Sequence, residues 1–463
     1  MFSPVVQGLK SRISDLTATQ RAAIIADILS FSSTSLVLAI VLWLRTTRAW
    51  DSIYRDSALL AGSVSLLTFA LFQMRYCRGM SPRRSLAVVA IWLSPWVIAC
   101  MRGFAWMKRD EPGVGLLTLH GLIDPPVLFV VQAAAAAAFL AGDAIARGRH
   151  SSGQPVGVRG AVAALLVTAA IPLFAAFVQL FSWLMTRGLY ERVSGTHSNA
   201  NLFAAYLVTV LPLAWIPLVA DRQTDRATRL VTGTIIAIIL IFAASRAGYV
   251  GAFVGVAVVM IYGFLRRARN AAEFARRRPL AIAFVAGGAL LTVGAGVALT
   301  AADGASRSLS NIQHGMIWRS GLKVAAAYFP LGGGLDTYLM ATQKLGLEAP
   351  GIHAHQLFLQ FADELGLLGV CAIVYITLWV LRVIHSEFRR LSTEPHGKQR
   401  SLHEARLVLA ASALAWIVSC QTDYTLWHQA VAIPLGIIIG LLHGLGQTVG
   451  KTTENGQPRL NDS

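Results

Sequence analysis

The chain is organised as long apolar runs broken by short polar or Gly/Pro-containing stretches. The runs fall at about 24–44, 57–73, 85–101, 125–146, 160–183, 202–220, 230–244, 248–265, 280–301, 366–384, 404–420 and 428–446. Each has about the length a helix needs to cross the hydrocarbon core, where only a helix or a closed barrel can satisfy its own backbone. The pattern predicts an all-α polytopic membrane protein with about 12 transmembrane helices, forming one domain over residues 1–463. With 55% hydrophobic and 14% charged residues and a mean hydropathy of +0.58, the chain departs from soluble composition, which carries roughly a quarter charged residues.

An even number of spans puts both termini on one side. With the N-terminus inside, Lys and Arg are about twice as numerous in inward segments as in outward ones. The bias is strongest at Arg266, Arg267, Arg269, Arg276, Arg277 and Arg278, a loop this places in the cytoplasm. The net charge of +17 is therefore largely topogenic and implies no nucleic-acid partner. The four cysteines have no CxxC spacing and indicate neither a zinc site nor a disulfide framework.

Under this topology the longest outward segment is 302–365, between helices 9 and 10, and it is expected to be the catalytic loop. It holds His314, Trp318, Arg319, Lys323, the Gly332–Gly334 turn, Asp336, His353, His355, Asp363 and Glu364. A second outward segment, 184–201, holds Arg192, His197 and Asn201. Between spans seven and eight the turn Ser245-Arg246-Ala247-Gly248 leaves almost no loop. An arginine there is costly unless paired or wet, and it reads equally as a diphosphate ligand or as an interfacial anchor. Residues 353–369 read as a helix entering span ten, with Gln356, Gln360, Asp363 and Glu364 on one stripe. His355 stands at its start, where a neutral imidazole can act as a general base. No metal is expected, because His353 and His355 lack the i, i+4 spacing of a helical zinc pair. The glycine run is followed by no GK[ST], so it reads as a tight turn rather than a phosphate loop. Gly251 and Gly255 form a GxxxG that reads as helix packing.

His355-Gln356, nine residues, then Gly366-Leu367-Leu368-Gly369 fits H[NSQ]-x9-GxxG and resembles the bacterial O-antigen ligases and the related O-antigen polymerases. Ile317-Trp318-Arg319-Ser320-Gly321 followed by residues 329–336 resembles the stretch before that histidine. Residues 245–248 resemble the family's S-R-G turn, with Ala247 in place of the glycine, and 197–207 resemble its N-x-N stretch.

The resemblance implies a metal-independent glycosyltransferase of the bacterial inner membrane, without cofactor, acting at the periplasmic face. It would move a glycan from undecaprenyl diphosphate to a sugar of the lipid A core. The alternative is repeat-unit polymerisation onto a second lipid-linked glycan, and protein O-glycosylation ranks below both. His355, Arg246 and Arg192 are the expected catalytic residues. Arg319, His353, Asn201, Trp318 and Gln356 are expected to bind substrate, and His353 stays open as a second candidate base. A lipid-linked sugar transporter is disfavoured, since the connection between spans six and seven is short and the long one faces outward.

Overall fold

A computed structural model describes residues 83–107, 125–147, 157–186, 192–197, 199–216, 222–268, 304–348, 351, 353–393 and 400–454. Every regular element among these residues is helical. In chain order they are α1 (Arg83–Met107), α2 (Pro125–Arg147), α3 (Val158–Thr168), α4 (Ala170–Thr186) and α5 (Ala200–Val210), the last continued by a 3-10 turn to Trp215. Then follow α6 (Arg222–Ala243), α7 (Arg246–Ala268), α8 (Gly304–Ala327), α9 (Tyr338–Lys344), α10 (Leu357–Gln360), a π turn (Phe361–Leu365), α11 (Gly366–Thr393), α12 (Arg400–Ser419) and α13 (Gln429–Glu454). Among the described residues seven stretches are long and apolar enough to cross a membrane, and two shorter apolar helices, Ala200–Trp215 and Ala227–Ala243, accompany them. Together these match nine of the expected spans; those at 24–44, 57–73 and 280–301 lie outside the described residues. The chain is a polytopic α-helical membrane protein.

The helices approach through small residues, as expected where lipid removes the hydrophobic drive for association. On α13, Gly436, Gly440 and Gly444 lie against Ala135, Phe139 and Asp143 of α2, so these two helices run parallel. A Cβ at Gly440 would sit 2.1 Å from the Phe139 carbonyl oxygen. Gly251 and Gly255 of α7 pack on Ala411, Ala415 and Ser419 of α12 with numbering that rises on one helix as it falls on the other, so this pair is antiparallel. The start of α7 therefore stands beside the end of α12.

Large apolar side chains remain exposed on α4 (Phe174, Phe177, Phe181, Leu184, Met185) and on α11 (Tyr375, Leu378), the surface a bilayer would cover. Two clusters of buried, paired charges lie toward one end of the bundle, away from the start of α2. Asp143 of α2 receives Ser85 Oγ at 2.6 Å, Arg147 at 2.5 Å and His443 Nδ1 at 2.9 Å. Glu387 of α11 is met by His403 at 2.8 Å and by Arg406 at 2.5 Å, which gives the arginine inside the apolar run at 404–420 a partner. Such partners offset part of the cost of withdrawing an ion from water.

Replacing Gly440 by Val should separate α2 from α13 and destabilise the protein by about 1–3 kcal/mol or more. Thermal unfolding in detergent, followed by tryptophan fluorescence, is expected to show the lower midpoint.

Candidate functional site

Two segments of backbone cross to build the floor of the site. The π turn at Phe361–Leu365 ends at Gly366, whose φ of 65° is open to glycine without strain. Against it lies the turn Pro330–Leu335. Gly333 N–H donates to Asp363 O at 2.6 Å, Gly334 N–H to Glu364 O at 3.1 Å, and Leu367 N–H to Pro330 O at 2.7 Å. A Cβ on Gly366 would lie 2.1 Å from Pro330 O, and one on Gly332 would lie 2.5 Å from Glu364 O. The glycines of both motifs are thus the points where two main chains touch. Leu335 N–H donates to Ala99 O at 2.9 Å and Trp106 Nε1–H to Gly333 O at 2.9 Å, which ties the crossing to α1.

Residues 353–356 lead into this crossing. Gln356 caps α10 by accepting Leu359 N–H at 2.5 Å and donates through Nε2 to Gln421 Oε1 at 2.7 Å. Leu357 N–H donates to Cys420 O at 2.9 Å, and Gln360 Oε1 accepts Ala354 N–H at 2.6 Å. The segment is thereby stitched to the loop between α12 and α13. The π turn also changes the expected stripe: Asp363 and Glu364 are buried rather than lining an open face, because an extra residue in the turn rotates what precedes it relative to α11.

His355 adopts φ 51°, a conformation that costs a non-glycine residue on the order of 1–3 kcal/mol and persists only where neighbours impose it. Its Nδ1 lies 3.1 Å from Asp423 Oδ1. With Nδ1–H donating to that carboxylate, Nε2 is left bare, and the side chain keeps 31% of its surface exposed. The ring lies 5.6 Å from His314 and 6.5 Å from His353. His353 is buried against Trp427 (5.7 Å) and Tyr424 (5.9 Å), and burial, helped by the His355 ring, pushes its pKa down to about 4. It is neutral at pH 7 and has no path to solvent comparable to that of His355.

The arginines gather at the turn between α6 and α7. Ser245 Oγ accepts Gly248 N–H at 3.3 Å, capping α7, and Arg246 is that helix's exposed first residue. Arg192 Nε–H donates to Ala243 O at 3.1 Å, and its terminal nitrogen donates to Asn201 Oδ1. Val193 N–H donates to Phe242 O at 3.1 Å, which fixes this segment to the same turn. Since α7 begins where α12 ends, the arginine turn and the His355–Asp423 pair flank the same end of α12. His197 strengthens the link, its ring 6.0 Å from His428 at the start of α13. Trp318 and Arg319 are exposed on α8, one turn beyond His314, whose ring is 6.4 Å from Trp318 and faces His355.

All eight residues singled out from the sequence therefore stand at one end of the bundle, though Gln356 is engaged as a helix cap. Asp423 was not among them. Its sequence signal is weak but present: it is the one acidic residue in an outward loop, 421–427, that carries no Lys or Arg. Asp336, His353 and Glu364 also offer donor atoms lying within 4.8 Å of one another.

Residues 231–374 match the family model described as O-antigen ligase. Over that stretch, about a third of the chain, the sequence is similar to the O-antigen ligase family. The matched region runs from within α6 into α11 and contains the arginine turn, both crossing segments and His355. Arg192, Asn201 and Asp423 lie outside it. Among curated proteins no sequence matches the chain. This similarity supports glycan ligase- or polymerase-type chemistry with a lipid-linked partner, in a multi-pass membrane protein.

Gly366→Ala should cost on the order of 2 kcal/mol or more, from its positive φ and the contact with Pro330 O. Limited proteolysis should then cut between residues 328 and 368 at protease levels the parent chain withstands.

Proposed function

We propose that the protein transfers a glycan from undecaprenyl diphosphate to a sugar hydroxyl of the lipid A core, at the periplasmic face of the bacterial inner membrane. The pairing of His355 with Asp423, at the same end of α12 as Arg246 and Arg192, carries this reading. The excess of Lys and Arg in the opposite segments supports the orientation, with both termini cytoplasmic.

The reaction is a direct displacement at the anomeric carbon. His355 Nε2 takes the proton of the acceptor hydroxyl as its oxygen attacks from the face opposite the leaving group. The bond from the anomeric carbon to the diphosphate oxygen breaks, its electron pair leaves with the diphosphate, and the configuration inverts. Asp423 keeps the imidazole in the tautomer with a free Nε2 and stabilises the imidazolium that forms. Arg246 and Arg192 meet the charge building on the diphosphate, an interaction strongest in the transition state. Guanidinium groups serve that purpose here in place of a metal ion. Trp318 and Arg319, exposed beside His314, flank the path of the incoming sugar, and His353 and Gln356 shape the segment that carries the base.

A deletion strain should lose polymer from its lipid A core while the polymer accumulates on the carrier, seen on lipopolysaccharide gels. Single repeats capped onto core would instead assign polymerisation, and unchanged glycans would remove the enzyme reading. His355→Ala should express normally and fail to restore the polymer; restoration would remove its role as base. In a purified transfer assay Asp423→Asn should slow turnover roughly 10- to 10³-fold, less than loss of the base itself, which is worth about 10²–10⁴. Arg246→Lys should also turn over poorly, because a point charge cannot match a two-pronged donor, and undiminished turnover would make Arg246 an anchor.

A further inference from the structure

We infer that Asp336, His353 and Glu364 form a binding site for one first-row divalent cation, Zn²⁺ or Mn²⁺, that fastens the segment carrying His355 to the backbone crossing beneath it. The three residues come from separate pieces of chain: the end of the glycine turn, the approach to α10 and the π turn. One donor atom from each lies within 4.8 Å of the others. Donors sharing an ion at about 2.1 Å stand roughly 3.5 Å apart in a tetrahedral site and about 4.2 Å when opposite, so little movement separates this arrangement from ligation.

The surroundings are those of a built site. Glu364 is 2% exposed and His353 7% exposed, and His353 Nδ1 has no hydrogen-bond partner among the described residues. A buried imidazole nitrogen without a partner is costly, as is a buried carboxylate beside a second, half-buried one, and a dication answers both. The ligands are already oriented: Glu364 Oε1 accepts Asp336 N–H at 3.1 Å, and Tyr424 and Trp427 hold the His353 ring. One imidazole with two carboxylates suits Zn²⁺ or Mn²⁺ better than Mg²⁺, which prefers oxygen ligands and retained water. Sequence spacing points away from a metal because it pairs His353 with His355, whereas the fold pairs it with residues 17 positions before and 11 after.

The ion would position rather than react. His353 is two residues from His355, whose left-handed backbone needs external support, while the diphosphate is met by arginines from other elements. The inference does not depend on which glycan is transferred, or on transfer at all. Its test is made on the full chain purified in detergent without chelators, by elemental analysis and by thermal unfolding with EDTA and then with added Mn²⁺ or Zn²⁺. About one divalent ion per chain is expected, with a midpoint that falls in EDTA and recovers with one of the metals. Glu364→Gln keeps the hydrogen bond to Asp336 N–H and should weaken metal binding at least about tenfold; His353→Gln is the second variant should the first fail to fold. Wild-type protein without bound divalent ion, whose midpoint responds neither to EDTA nor to either metal, would overturn the site. So would an unchanged metal response in a folded variant.

Discussion

The contact between the 330–335 turn and the π turn at 361–365 is the constraint from which the rest of the site follows. Two backbones can hydrogen-bond at this range only where neither carries a side chain between them, and Gly332 and Gly366 supply that clearance. The π turn is the other half of the arrangement. Its wider winding presents the carbonyls of Asp363 and Glu364 to the N–H groups of Gly333 and Gly334, instead of closing them into α11. Once this crossing is formed, α8 and α1 are attached to the head of α11, and the preceding segment with His355 has one course left to it, against the loop that follows α12. A motif that looks like a histidine with distant glycines is thus a histidine together with the joint that holds it.

The same division between backbone and side chain explains how polar groups are tolerated in so apolar a molecule. At the end of the bundle away from the site, each buried carboxylate meets both an arginine and a histidine: Asp143 with Arg147 and His443, Glu387 with Arg406 and His403. These groups consume one another's charge. At the site end Arg246 projects to an exposed position and His355 leaves part of its ring open, so polarity there is available to an incoming molecule.

Much of this was legible in the sequence, because hydrophobic period and topology act locally. The nine expected spans that fall on described residues correspond to helices, and the GxxxG of α7 packs as a close contact against α12. The gathering of Arg192, Arg246, Arg319 and His355 at one end follows from span parity and needs no tertiary knowledge. What escaped was set by contacts across long stretches of chain. Asp423 lies 68 residues beyond His355 and becomes its partner only because Leu357 and Gln356 bond to Cys420 and Gln421. The stripe of Gln356, Gln360, Asp363 and Glu364 assumed an unbroken 100° period, and a π turn is invisible to that assumption. The amide of Gln356, a residue expected to bind substrate, is engaged with Leu359 and Gln421, the latter a contact that no local pattern encodes.

Asp423 also resolves a conflict inherent in the proposed chemistry. A site that collects arginines for a diphosphate is a poor place to create an imidazolium, since like charges in a partly desolvated region repel and would resist the proton transfer that activates the acceptor. A carboxylate in contact with the ring reverses the balance: at 4 Å and an effective dielectric of about 20, an opposite unit charge contributes about 4 kcal/mol, against less than half of that from a cation ~10 Å away. In the proposed mechanism the aspartate therefore allows a cationic leaving-group pocket and a histidine base to coexist at one end of a bundle. His353, buried and held neutral, adds no positive charge of its own at pH 7, and the carboxylates of Asp336 and Glu364 would offset that of a dication bound beside it.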